Sequence, residues 1–258
     1  MRARSLRRSH IAVRLAVVAL AGAAVVGSCA ADRGPGAGGD GADATADRPA
    51  IRAAPSPFSR LERRFAEVVR AVSPHVVRIE SPSGRGSGVV FDARGDVVTD
   101  AHVVGRVRDF VVTLSGGDQH RATLVAADRS RSLAVVRIHG ATPAPATFAD
   151  ASSRRVGDVA LAIGNALGSR PSVTQGIVSA VSRRVPGDNG VAPSPAMRTT
   201  AAINASNSGG ALVDLSGRVI GIPTLPALGP RLSGQAPGGG FAIDSDTVRR
   251  FAGALAGS

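Results

Sequence analysis

Two stretches carry residues that could do chemistry together. The first is Ala201 to Val213, AAINASNSGGALV, with Asn207-Ser208-Gly209-Gly210 at its centre. A serine that attacks a carbonyl needs an exposed hydroxyl, a nearby base and backbone amides aimed at the developing oxyanion. A tight turn with two glycines after the serine provides such a place, because glycine tolerates angles and close approaches that other residues do not. In a chain with 32 glycines the same four residues also serve as an ordinary turn. The second stretch, Gly86 to Val104, lies well upstream and runs GSGVVFDARGDVVTDAHVV. Its pattern is a strand, a glycine turn, a second strand and then a histidine, His102.

These two stretches do not stand alone. GSGVV…VVTDAHVV, DRSRSLAVVRI, VGDVALAIGNALG…SVTQGIVSAV and AAINASNSGGALVD…GRVIGI follow one another with the order and spacing of the HtrA-like (DegP-type) serine proteases of chymotrypsin fold. The chain resembles that family from about Val68 to Phe251. The resemblance implies His102 as general base and Ser208 as nucleophile, with the amides of Ser208 and Ser206 forming the oxyanion hole.

Two positions depart from the family pattern. The triad carboxylate should directly precede Leu133-Ala134, where this chain has Ser132. A serine hydroxyl can accept a hydrogen bond from the histidine, but it supplies no negative charge to stabilise the imidazolium. The glycine expected two residues before the nucleophile is Ser206, whose Cβ disfavours an inward-pointing amide. Asp128, four residues before Ser132, is a candidate substitute, although the family often carries an acid there beside the true triad member. The implied activity is a serine endopeptidase acting on unfolded or extended polypeptide, attenuated at these two points. The alternative is a non-catalytic homologue that kept the cleft and binds polypeptide or regulates a partner; a scaffold lipoprotein is a third reading. The family's common preference is a small or aliphatic residue before the scissile bond, and its common assembly is a trimer, so a homo-oligomer is one expectation.

The elements that must position these residues are mostly short strands. Phe58, Leu61, Phe65, Val68, Val69 and Val72 fall at helical spacing, with Ser59 and Glu62 as a capping box and Ser73-Pro74 as a stop. Strands follow at Val76–Glu80, Gly88–Phe91, Asp96–Thr99, Phe110–Leu114, Arg121–Ala126 and Leu133–Ile138. Gly140 to Ala146 looks like a bridge to a second set at 159–163, 172–182, 197–202, 211–213, 218–222 and 239–243. Val248, Phe251 and Leu255 mark a final short helix. The expected fold is all-β, two antiparallel six-stranded β-barrels of chymotrypsin-like type with short N- and C-terminal helices. Barrel one would span about 72–140 and barrel two about 147–245 of a protease domain at 58–258, with His102 from the first and Ser208 from the second. The PDZ domain that usually follows in the family is expected to be absent.

Ahead of the domain, residues 1–28 have the form of an export signal: Arg2, Arg4, Arg7, Arg8 and Arg14, then the apolar run Leu15–Val26, then small residues. That run is too short to span a bilayer as a helix. Val26-Gly27-Ser28-Cys29 resembles a bacterial lipobox, which implies lipidation of Cys29 and attachment to the outer face of a cell membrane; the alternative is a cleaved signal and a secreted or periplasmic protein. Residues 29–57 are rich in Ala, Gly, Asp and Pro without apolar periodicity, and read as a disordered linker. One cysteine excludes an intrachain disulfide and a cysteine-rich zinc site.

Composition narrows the partners. The net charge of +12 is carried by arginine, with no lysine, and the arginines are scattered without aromatic interleaving, so no nucleic acid is expected. His75, His120 and His139 lack ligand spacing, and no H-E-x-x-H motif is present, so neither a metal nor a cofactor is expected. With no Trp or Tyr and only seven Phe, the core must be packed by Val, Leu, Ile and Ala.

Overall fold

Alternation of burial along short valine-rich strands is what closes this chain into barrels. In the computed structural model the described residues are 57–82, 84–150, 154–168, 171–183, 196–225 and 239–256. The export signal, Cys29 and the linker lie outside them. Helix α1 spans Pro57–Val72 and packs Val68 and Val72 into the core. Ser59 therefore lies inside the first helical turn and is not the N-cap, which requires non-helical angles. Pro57 starts the helix, where its missing N–H has no intrahelical partner to lose.

The first barrel consists of β1 (Val76–Ser81), β2 (Gly84–Val90), β3 (Asp96–Asp100), β4 (Asp109–Thr113), β5 (Gln119–Asp128) and β6 (Leu133–Ile138). The second consists of β7 (Val159–Gly164), β8 (Ser172–Arg183), β9 (Ala196–Thr199), β10 (Ala211–Val213), β11 (Val219–Thr224) and β12 (Gly240–Asp244). Each closes, in the orders β1-β2-β3-β6-β5-β4 and β10-β11-β12-β9-β8-β7, and every pairing between neighbours is antiparallel. Among the described strands, closure gives each one a neighbour on both sides. The expected all-β fold of two six-stranded barrels is thus the observed one. Two short helices complete it, α2 (Ala101–Val104) between β3 and β4 and α3 (Ser245–Ala256) at the end.

Strand period two distributes side chains between separate cores. Along β6, Ala134, Val136 and Ile138 belong to a cluster drawn wholly from the first barrel and its loops, with Val77, Ile79 and Val97. Their neighbours Leu133 and Val135 face a different cluster that joins both barrels to α1 and α3 through Val76, Leu161, Ile163, Val213, Val248 and Ala252. The same division holds in β7, where Ala160 and Ala162 pack with Met197 and Leu212 inside the second barrel. A single continuous apolar layer therefore binds the barrels and both terminal helices. Phe91 and Phe148 meet edge to face at its margin, ring centroids 5.4 Å apart.

One buried ion pair fixes the second barrel to α3. The Arg154 side chain, 3% exposed, reaches Asp244 at 2.7 Å and donates to the Ile220 carbonyl at 2.9 Å. Asp244 also accepts from the Asp246 amide at 2.9 Å and so caps α3. Removing one partner of such a pair leaves an uncompensated buried charge. Arg154→Met is expected to lower unfolding stability by about 3–5 kcal/mol, read from urea melts. A loss within about 0.5 kcal/mol, the range of ordinary surface changes, would show that Asp244 is satisfied without it.

Candidate active site

The position of His102 follows from how β3 ends. Asp100 pairs with Leu133 at the last register of β3 and β6, then takes extended angles and caps the single turn of α2. Its Oδ1 accepts from the His102 amide at 3.1 Å. Ala101, Val103 and Val104 turn inward, so His102 is the residue of that turn that faces outward. The imidazole is not free: Nδ1 lies 2.9 Å from Asp100 Oδ1, with the His102 side chain 44% exposed and that of Asp100 2%. A carboxylate accepts and does not donate, so the ring proton sits on Nδ1 and Nε2 is left as the acceptor. Burial acts against the charged ring, but the hydrogen bond and charge of Asp100 outweigh it and hold the His102 pKa above the ordinary histidine value.

Ser208 comes to the same carboxylate from the other barrel. Its Oγ lies 3.4 Å from Asp100 Oδ2 and 3.4 Å from the Pro223 carbonyl, and accepts from the Leu225 amide at 3.3 Å. Asp100 therefore touches both residues, and no hydrogen bond joins His102 directly to Ser208 among the described residues. Ser208 is also fully buried, which differs from the exposed hydroxyl that the motif suggests. The cause is local: the end of β11 runs beside the serine turn, and its Pro223 carbonyl takes the Gly209 amide at 2.8 Å. Gly209, at φ 78°, passes so close to β2 and β3 that a Cβ there would stand 2.4 Å from the Ser87 carbonyl.

The amides expected to form the oxyanion hole are occupied within their own loop. Ser206 N donates to Asn204 Oδ1 at 2.9 Å, and Ser208 N donates to the Asn204 carbonyl at 2.9 Å. Ser206 adds its hydroxyl, which meets Asn204 Oδ1 at 2.5 Å and Ser172 Oγ at 2.9 Å. A glycine would have neither the Cβ nor that tether. Asn207, wholly buried, braces the turn by accepting from the Asn204 amide and donating to the Ala202 carbonyl, both at 2.9 Å.

Ser87 ties the two barrels together beneath this loop. Its amide donates to the Ser208 carbonyl at 3.2 Å, its hydroxyl to the Ser206 carbonyl at 3.0 Å, and the hydroxyl accepts from the Asn165 amide at 2.8 Å. Thr99 Oγ1 in turn donates to the Ser87 carbonyl at 2.6 Å.

Ser132 stands beside the site but makes its contact through the backbone. Its carbonyl accepts from the Ala101 amide at 3.0 Å, and at φ 53° it is the one non-glycine with a positive φ among the described residues. Asp128 is turned elsewhere: it accepts from Ser130 Oγ at 2.6 Å and pairs with Arg131. Although burial opposes ionisation, those hydrogen bonds and the Arg131 charge hold its carboxyl below the ordinary aspartate value. The structure thus brings His102, Ser208 and Ser206 to one place, sets Ser132 next to Ala101 and leaves Asp128 in its own turn.

Three site residues go unmarked by motif reasoning: Asp100, Asn204 and Ser87. Asp100 had a usable signal, since an acid between a strand and an Ala-His turn is an N-cap pattern that aims a carboxylate two residues ahead. Asn204 and Ser87 had none, because their roles arise from the meeting of distant loops.

Comparison with known proteins places the chain in a family. The trypsin-like peptidase domain family matches residues 86–222. The chain is 37% identical over 264 residues to the serine protease PepD of Mycobacterium tuberculosis, across 94% of this chain and 55% of that protein. It is 36% identical over 197 residues to the serine endoprotease DegS of Haemophilus influenzae, across 70% and 57%. To the periplasmic serine endoprotease DegP of Escherichia coli it is 43% identical over 168 residues, across 64% and 34%. The chain spans little more than half the length of the first two and about a third of the last.

The raised His102 pKa has a measurable sign. Because the folded ring holds its proton more tightly, its contribution to stability is fully present below about 6.5 and fades as pH rises through the folded midpoint. The NMR titration of the His102 ring is expected to show a midpoint above about 6.5. A midpoint at or below that value would mean that burial outweighs Asp100.

Proposed function

Because this chain belongs to the trypsin-like peptidase family and to its HtrA group, we propose that it is a serine endopeptidase of unfolded or extended polypeptides with attenuated turnover. The observation that carries this reading is the convergence of Ser208 and His102, from different barrels, on one buried carboxylate. In the reaction, His102 Nε2 takes the Ser208 hydroxyl proton as Oγ attacks the scissile carbonyl carbon, and returns it to the leaving amine. Water then attacks the acyl-enzyme by the same route. Nδ1 keeps its proton throughout, held by Asp100.

Attenuation follows from the loop geometry. Before the Ser206 and Ser208 amides can receive an oxyanion, they must leave Asn204. The Ser208 hydroxyl must likewise part from Leu225 and Pro223 and become accessible. The same two observations favour a second reading, a homologue that binds polypeptide in the cleft without turnover.

The site of action proposed here is the cell envelope, with Cys29 lipidated as the anchor. Among the described residues no helix is long and apolar enough to cross a membrane. One acyl chain holds a protein only marginally, so the anchor would carry more than one.

A fluorophosphonate probe tests the activity. Wild type is expected to label at Ser208, and Ser208→Ala to lose the label. Ser206→Gly, which removes the Cβ and the hydroxyl tether, is expected to raise cleavage of an unfolded protein by roughly 10²-fold, the scale of one oxyanion donor. No label on wild type and no gain in Ser206→Gly would leave the binding reading. For the anchor, membrane fractionation of Cys29→Ala should show release of the protein; equal retention would remove lipidation from the proposal.

A further inference from the structure

The triad position at Ser132 lacks a carboxylate, yet His102 does not lack one. Asp100 holds Nδ1 at 2.9 Å, a short charge-assisted hydrogen bond. Its orientation is set twice, once by the extended backbone that ends β3 and once by the cap it makes to the His102 amide. It is 1% exposed, so its carboxylate is shielded from water. These are the three attributes a histidine-orienting carboxylate needs: it fixes the tautomer, it fixes the ring plane, and it brings a charge that favours imidazolium as the proton arrives.

Neither Asp128 nor Ser132 supplies this. Asp128 is committed to Ser130 and Arg131. Ser132 is placed one hydrogen bond away, its carbonyl on the Ala101 amide between Asp100 and His102. Position 100 ends β3 opposite Leu133, and position 132 is the turn residue just before Leu133, so both lie at the foot of the same one-turn helix. A carboxylate introduced at either one starts from beside His102.

We propose that Asp100 is the positioning residue for His102, replacing from two residues upstream the carboxylate that Ser132 does not provide. This rests on the endopeptidase reading for its consequence in turnover, but not for the pairing itself. The loss at Ser132 is then a relocation of charge, and the defects that limit the enzyme are those of the serine loop.

The test separates charge from shape. Asp100→Asn keeps the side-chain volume and the capping oxygen, since asparagine caps as well as aspartate, and removes the charge. Its His102 midpoint is expected to fall by roughly one unit or more. The fluorophosphonate labelling rate and kcat are expected to fall by roughly 10²–10⁴, with KM and the melting temperature little changed. Adding Ser132→Asp to Asp100→Asn is expected to restore the midpoint and at least roughly tenfold of the lost rate, whereas Ser132→Asp alone should change the wild-type rate by less than roughly threefold, because members of one unit are non-additive.

An unchanged His102 midpoint in Asp100→Asn would overturn the assignment. So would a gain of roughly 10²-fold or more from Ser132→Asp alone, a measurement that stands even where Asp100→Asn does not fold. If wild type fails to label, the endopeptidase reading falls, and the two His102 midpoints still decide the pairing.

Discussion

The arrangement of this molecule depends on a seam of backbone and hydroxyl hydrogen bonds at Ser87. There, the second strand of one barrel passes under the serine loop of the other, and a single small residue serves both. Its hydroxyl both donates to the Ser206 carbonyl and accepts from the Asn165 amide. Buried polar groups must be paired, and here pairing is possible only if the barrels meet in one register. The apolar layer that joins them is non-directional and would tolerate sliding. Ser87 and Thr99 give it a fixed position, and with that position Asp100 arrives beside Ser208.

Two kinds of polar group compete for the serine turn in this structure. Amides that an oxyanion would need are taken by Asn204, and the hydroxyl that would attack is taken by Asp100, Pro223 and Leu225. Each bond is individually modest, since folding exchanges it against water. Together they enclose Ser208, which is fully buried. On the proposed endopeptidase reading, a substrate would have to outcompete this set, which would tie turnover to a change of loop conformation. His102, by contrast, is already oriented and exposed. On the proposed endopeptidase reading the preparation is therefore uneven: the proposed base is oriented, whereas the amides of Ser206 and Ser208 are engaged by Asn204.

Much of the fold was legible because it rests on local periodicity. Strands such as Leu133–Ile138 and Ala211–Val213 show in the sequence as short apolar runs between turn residues, and the structure has them at the same bounds. The helix over 58–72 was equally plain, but its cap was misplaced at Ser59, because a Ser-x-x-Glu pattern does not say which residue leaves the helical angles first. Strand ends shifted where hydrogen bonding outlasts hydrophobic alternation, as in β2, which starts at Gly84 ahead of its first valine.

At the site, the sequence by itself determined which residue types are present: a histidine after a β-strand, a serine in a glycine turn, no carboxylate at position 132 and no glycine at 206. From these, erosion of a catalytic unit was the natural reading, since motif logic compares positions one at a time. Only the tertiary structure decided that the charge behind His102 comes from Asp100, that Ser206 locks its amide to Asn204, and that Ser208 is enclosed. The physical reason is range. Periodicity and turn chemistry act over a few residues and can be read along the chain. A hydrogen bond between Asp100 and Ser208 spans 108 residues, and it exists because two closed barrels and the Ser87 seam bring those side chains within reach.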